Sequence, residues 1–201
     1  MQGLELSAWN QLKRICCYHT GFRQLYGCRV KPWKKYDRLT DISIEEMKEI
    51  VQEENIKAII IDMDGTLKHY KLGLLDQNKE WVEEMKKFVN VYLVSNANQK
   101  YTSKVAQELQ VEYIYKAKKP SSYGFEKICE LSNCKKEEII VIGDAIRADI
   151  VGAKKSGIEK TISLKDLNVI GVEDGKDQYE KFYYNVCNFI IYSMIGWIIV
   201  F

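Results

Sequence analysis

Residues 57–70 read KAIIIDMDGTLKHY, and the fold turns on how that stretch is read. A short continuous apolar run, Ala58 to Ile61, has the character of a strand covered on both faces. It ends in two aspartates, Asp62 and Asp64, where charge has a cost unless something compensates it. One reading is a strand that simply runs out into a turn. The other is that both carboxylates converge on a cation or on a reacting group.

Working outward, the pattern alternates between helix and strand from about residue 43. "SIEEMKEIVQEEN" opens with Ser43 and Glu46 at capping-box spacing, with Ile44, Met47, Ile50 and Val51 on one face. After the apolar run come a helix around residues 76–89, a strand "VYLVS" and a helix around 101–109. The strand "EYIYK", a helix around 122–131, the strand "EIIVIG" and a helix around 148–156 follow. Gly157 stands at a helix C-cap position, and "KTISL" makes a fifth strand. Strands alternating with helices over such short connections imply parallel βαβ units. The expected fold is α/β: a doubly wound, Rossmann-like, mainly parallel five-stranded sheet with helices on both faces. Domain boundaries are expected at 1–40 (a basic, aromatic N-terminal segment), 41–170 (the α/β domain), 171–181 (a linker) and 182–201 (an apolar C-terminal segment).

In open sheets of this kind, sites form beyond the carboxyl ends of the strands. Four such ends carry reactive types. Besides Asp62, these are Ser95 and Asn96 after "VYLV", Lys118 and Lys119 in "AKKP", and Asp144 with Asp149 in "GDAIRAD". Chance placement of polar residues is a poor account of four coincidences along one sheet edge.

These segments resemble the haloacid dehalogenase-like hydrolase superfamily, through DMDGT (62–66), Ser95 in "VSN", Lys119 in "KKP" and the Asp144/Asp149 pair. The resemblance covers about residues 43–165. Two longer stretches, residues 29–67 and 112–128, are similar to capless subfamily IIIA phosphatases, the group that includes phosphatidylglycerophosphatases. The chain departs from that group in Gly65 where Asn is usual, in "GDAIRAD" where a "GDQxxTD" form is usual, and in its apolar C-terminus.

The resemblance implies a magnesium-dependent phosphomonoester hydrolase that works through an aspartyl-phosphate. Asp62 would be the nucleophile. If the backbone stays extended, Asp64 projects to the same side and serves as acid and then base. Magnesium would be held by Asp62, the Asp64 carbonyl and Asp144, with Asp149 in support. Lys119, Ser95 and Asn96 would bind the phosphoryl group, Lys119 also facing the nucleophile. Thr66 is expected to position Asp64 or to cap the turn. Lys118 reads as a solvated lysine, His69 as a loop residue, and Arg147 as either a substrate contact or a surface ion pair.

The gaps between Thr66 and the second strand, and between Asn96 and Lys119, are too short for a cap domain. An open site suits a large substrate: a lipid headgroup, a phosphoprotein or a nucleic-acid end. A small sugar phosphate would need cover from oligomerisation. Net charge is only +2, but residues 1–40 hold eight Lys/Arg against Glu5 and Asp37, interleaved with aromatics. That segment reads either as a solvated extension or as a surface for anionic lipid or polyanion. Residues 182–201 contain no charge, which suits a membrane span, an interfacial anchor, or a core or dimer helix. Together these favour a lipid phosphate such as phosphatidylglycerophosphate. The expected location is cytoplasmic, membrane-associated on the cytosolic face. The six cysteines without a CxxC pair fit reduced thiols, and Lys13 and Arg14 interrupt any signal-peptide core. A non-catalytic, membrane-tethered binding module is the alternative of another class.

Overall fold

The computed structural model describes residues 30–170. Six parallel strands form one sheet: β1 (Lys34–Lys35), β2 (Ala58–Ile61), β5 (Asn90–Val94), β6 (Glu112–Ile114), β7 (Ile139–Gly143) and β8 (Thr161–Ser163), in the order β1-β8-β7-β2-β5-β6. A two-stranded antiparallel hairpin, β3 (Lys68–His69) with β4 (Gly73–Leu74), lies outside it. The helices are α1 (Ile44–Glu53), α2 (Asp76–Met85), α3 (Gln99–Leu109), α4 (Tyr123–Ser132), α5 (Val151–Ser156) and α6 (Leu167–Ile170).

All four residues of β2 are buried, as a strand with helices on both faces requires. Its alternate side chains serve two cores. Ile59 and Ile61 pack with Met47 of α1, Trp81 and Met85 of α2 and Leu109 of α3. Ala58 and Ile60 pack with Phe125 and Ile128 of α4 and Ala153 of α5 on the other face. The doubly wound expectation is met. The cap is absent as expected: among the described residues, only the β3–β4 hairpin and α2 separate β2 from β5. Only α3 separates β5 from β6.

The chain steps from β2 outward to β5 and β6, then returns to β7 on the far side of β2. That reversal puts a crevice beyond the carboxyl ends of β2 and β7, the place where such sheets take ligands. Asp62 follows β2 and Asp144 follows β7, and the pairing Asp62 N–H to Ile142 C=O (3.0 Å) carries the ladder one residue past β2.

Two expectations change. The sheet has six strands rather than five, because Lys34–Lys35 pairs in parallel with β8, Lys34 opposite Ile162. A two-lysine edge strand leaves no apolar signature. With Leu39 and Ile42 fully buried, the boundary drawn at residue 40 falls inside the domain. Residues 1–29, the 171–181 linker and the apolar 182–201 segment lie outside the described residues. No helix among those described is long and apolar enough to cross a membrane.

Candidate active site

The backbone does not stay extended after β2. It bends at Met63 and turns through Gly65–Leu67, whose end is closed by Leu67 and Lys68 N–H groups donating to the Met63 carbonyl (3.0 and 2.9 Å). The two aspartates therefore diverge. Asp62 points inward, its side chain 11% exposed, while the Asp64 carboxylate is 53% exposed and accepts from Lys68 Nζ at 3.2 Å. The expectation that both carboxylates project together is corrected by this bend.

Lys119 reaches the site from the loop after β6. Its ammonium is buried and donates to Asp62 Oδ1, to Asp149 Oδ1 (2.6 Å) and to the Val94 carbonyl (2.9 Å). Two flanking residues, Lys116 and Lys118, hold left-handed backbone conformations (φ 45° and 56°) that cost energy for non-glycine residues. Between them Ala117 is fully buried and its N–H donates to Ser95 C=O at 3.0 Å. Asn96 secures the other side, with its side-chain oxygen accepting from Lys119 N–H (2.7 Å) and its amide donating to Lys119 C=O (3.0 Å). The Asn96 side chain thus positions Lys119. Ser95 is buried, and its hydroxyl oxygen accepts from Ala97 N–H at 3.0 Å.

After β7, a π-type turn at Ile146–Ile150 brings Asp149 back toward the strand. Its second oxygen accepts from Ala145 N–H (3.0 Å). Gly143 permits the approach, because a Cβ there would sit 2.4 Å from the Asp149 carboxylate. Thr66, fully buried, donates to Asp144 Oδ1 at 3.1 Å. It therefore holds Asp144, where the sequence suggested Asp64 or the turn. His69 is also corrected: it is buried in β3, and its Nδ1 accepts from Lys71 and Leu72 N–H groups (3.2 and 3.3 Å). Arg147 is half-buried in the π-type turn, and Lys118 is exposed with its ammonium 5.5 Å from the Tyr123 ring.

Two residues at the site were not anticipated. Asp166, beyond β8, shares the space over Gly65 with Asp144: a Cβ on Gly65 would lie 2.9 Å from both carboxylates. It stands past the fifth strand end, a position the strand-end argument could have included. Asn78 of α2 is buried and donates to the Thr66 and Leu67 carbonyls (3.2 and 3.0 Å), fixing the turn from below.

Carboxylate oxygens of Asp62, Asp144 and Asp149 lie within 4.8 Å of one another. Burial pushes Asp62 up to about 7, helped by repulsion from Asp149 and opposed by Lys119. Burial pushes Asp144 up to about 8, with Asp62, Asp149 and Asp166 adding to the rise. Burial alone would lower Lys119, but Asp149 and Asp62 hold it above its ordinary value. One ammonium does not balance this many carboxylates. An all-oxygen group with excess negative charge fits a hard divalent cation. The sequence expectation took Asp64 as a ligand through its backbone carbonyl; the carboxylates that lie close together are those of Asp62, Asp144 and Asp149.

Residues 71–157 match the family model described as haloacid dehalogenase-like hydrolase. "Probable phosphatase YqeG" of Bacillus subtilis (strain 168) is 35% identical over 111 residues, 54% of this chain and 64% of that protein. The chain thus spans just under two thirds of that relative's length. Among solved structures, an uncharacterised Listeria monocytogenes protein aligns with TM-score 0.47 and 20% identity, over 60% of this chain and 84% of that one. The 3-deoxy-D-manno-octulosonate 8-phosphate phosphatase of Moraxella catarrhalis, in complex with magnesium ion, phosphate ion and KDO, aligns with TM-score 0.42 and 16% identity. That alignment covers 58% of this chain and 82% of that one. Residues 71–157 are thus similar to haloacid dehalogenase-like hydrolases. Within that class, the relative matched by sequence carries the name of a probable phosphatase.

Proposed function

We propose that the protein is a magnesium-dependent phosphomonoester hydrolase that works through an aspartyl-phosphate on Asp62. The observation that carries this reading is the placement of Asp62. It lies at the end of the central strand β2, ion-paired with buried Lys119 and facing Asp144 across the crevice. The carboxylates of Asp62, Asp144 and Asp149, with the Asp64 carbonyl, would hold magnesium. The ion supplies positive charge against the phosphoryl oxygens.

The chain's own groups account for the rest. An Asp62 oxygen attacks phosphorus as the bond from phosphorus to the ester oxygen breaks. The departing oxygen keeps that electron pair and takes a proton from the Asp64 carboxylic acid. A water then attacks phosphorus and gives its proton to Asp64, while the bond from phosphorus to Asp62 breaks. Inorganic phosphate leaves and the Asp62 carboxylate is restored. For this role Asp64 leaves Lys68 and turns inward, which its half-exposed position in a turn allows. Lys119 opposes the rise that burial gives Asp62 and offsets phosphoryl charge. The Ser95 hydroxyl proton and the Asn96 backbone N–H serve as phosphoryl donors.

For substrate we propose a lipid phosphate such as phosphatidylglycerophosphate, hydrolysed at a membrane surface on the cytosolic side. An uncapped site and an uncharged 182–201 segment support it. The test is phosphate release by the full chain from a panel of lipid phosphate, sugar phosphate, phosphopeptide and 5′-phosphorylated oligonucleotide, with magnesium or with chelator. Release from the lipid, abolished by chelation, is expected. Turnover of another member with none of the lipid would overturn the substrate, and no turnover of any would favour a binding module.

A further inference from the structure

The loops that ring the site carry a surface that the reaction does not use. Of nine large apolar side chains exposed among the described residues, six (Tyr70, Leu72, Tyr101, Tyr115, Tyr123, Val169) follow the carboxyl ends of strands. They sit in the β3–β4 turn, in the first turns of α3 and α4, just past β6, and on α6. Residues 65–75, 95–101 and 115–123, which form most of this rim, hold no Asp or Glu; of their six lysines, Lys119 is buried in the site and Lys68 pairs with Asp64. Lys71, Lys100, Lys116 and Lys118 are exposed there. Two of them stand beside exposed rings, Lys71 5.2 Å from Tyr70 and Lys118 5.5 Å from Tyr123.

We propose that this rim is a docking surface for an anionic lipid bilayer, which seats the open site on the membrane plane. The proposal rests on reading the site as a lipid-phosphate hydrolase and adds the surface where that reaction takes place. Charge complementarity and side-chain type both support it. Lysines near an anionic leaflet each strengthen binding by about fivefold. Tyrosine suits the headgroup level, with an apolar ring and a polar tip. Leu72, 53% exposed at the hairpin turn, reaches toward the acyl boundary. A single-stranded nucleic acid would use the same lysines and could stack on the tyrosines, but Leu72 and Val169 offer it no ring to stack on.

Hydrogen–deuterium exchange of the full chain tests this, measured alone, with phosphatidylglycerol vesicles, with phosphatidylcholine vesicles and with a single-stranded oligonucleotide. Slower exchange in residues 68–74, 97–101 and 115–123 is expected with phosphatidylglycerol and not with phosphatidylcholine. The K71E/K100E variant should bind phosphatidylglycerol vesicles at least about tenfold more weakly. Its hydrolysis of a soluble phosphomonoester should be unchanged. Protection confined to other parts of the chain, or stronger rim protection by the oligonucleotide, would overturn the docking surface. Rim protection by vesicles without lipid-phosphate turnover would keep the surface and overturn the substrate. Turnover without rim protection would do the reverse.

Discussion

Lys119 donates from a buried ammonium to Asp62, Asp149 and the Val94 carbonyl, so its replacement removes three bonds at once. Lys119→Met should leave two buried carboxylates without their counter-charge. A loss of about 3–5 kcal/mol in urea unfolding at neutral pH is expected, with turnover abolished. The carboxylates also set a pH dependence whose sign can be worked out. Asp62 at about 7 and Asp144 at about 8 stand above the ordinary 3.8, so the folded chain binds these protons more tightly than the unfolded chain. Their contribution to stability is full below the ordinary value and is lost as pH rises through about 7 and 8. In chelator, the melting temperature should therefore fall between pH about 5 and about 8, and Asp144→Asn should flatten that fall. A wild-type profile that rises over the same interval would contradict the assignment. Gly65, at φ 87°, meets Asp144 and Asp166 where a Cβ would go. Gly65→Ala should thus weaken magnesium binding, read by titration calorimetry.

At the scale of elements, what was legible in the sequence is what carries a period or a strong terminal signal. The β2 and β7 runs, the Ser43 cap that accepts from Glu46 N–H (3.1 Å) and the left-handed Gly157 could all be read directly. The rest depends on geometry that local pattern does not encode. β1 is two lysines at a sheet edge, recognisable only once β8 is beside it. The π-type turn hides inside what reads as an ordinary helix start, yet it returns Asp149 to Lys119. The turn at Met63–Leu67 sends Asp64 outward, against the simple two-residue alternation of a strand. The segment after β8 straps the site: Leu167 N–H donates to Gly65 C=O (2.8 Å), and Asn168 Oδ1 accepts from Tyr70 N–H (2.8 Å). Asn168→Ala should cost about 1 kcal/mol and speed amide exchange in residues 66–74. Unchanged exchange there would show that the strap does not hold the hairpin.

At the scale of the molecule, the topology explains why residues scattered from 62 to 166 meet. The reversal of strand order beside β2 opens one crevice, and the ends of β2, β5, β6, β7 and β8 each deliver a side chain to it. The same edge bears the lysines and tyrosines of the rim, so the reacting groups and the surface around them face one way. The central claim is that Asp62 carries the phosphoryl group between substrate and water. Acid quenching of the full chain during turnover of a phosphomonoester with magnesium, followed by peptide mass mapping, tests it most directly. One phosphoryl group on the peptide that contains Asp62, absent from Asp62→Asn along with all turnover, is the result predicted here. A phosphoryl group on another residue, or full turnover by Asp62→Asn, would contradict it.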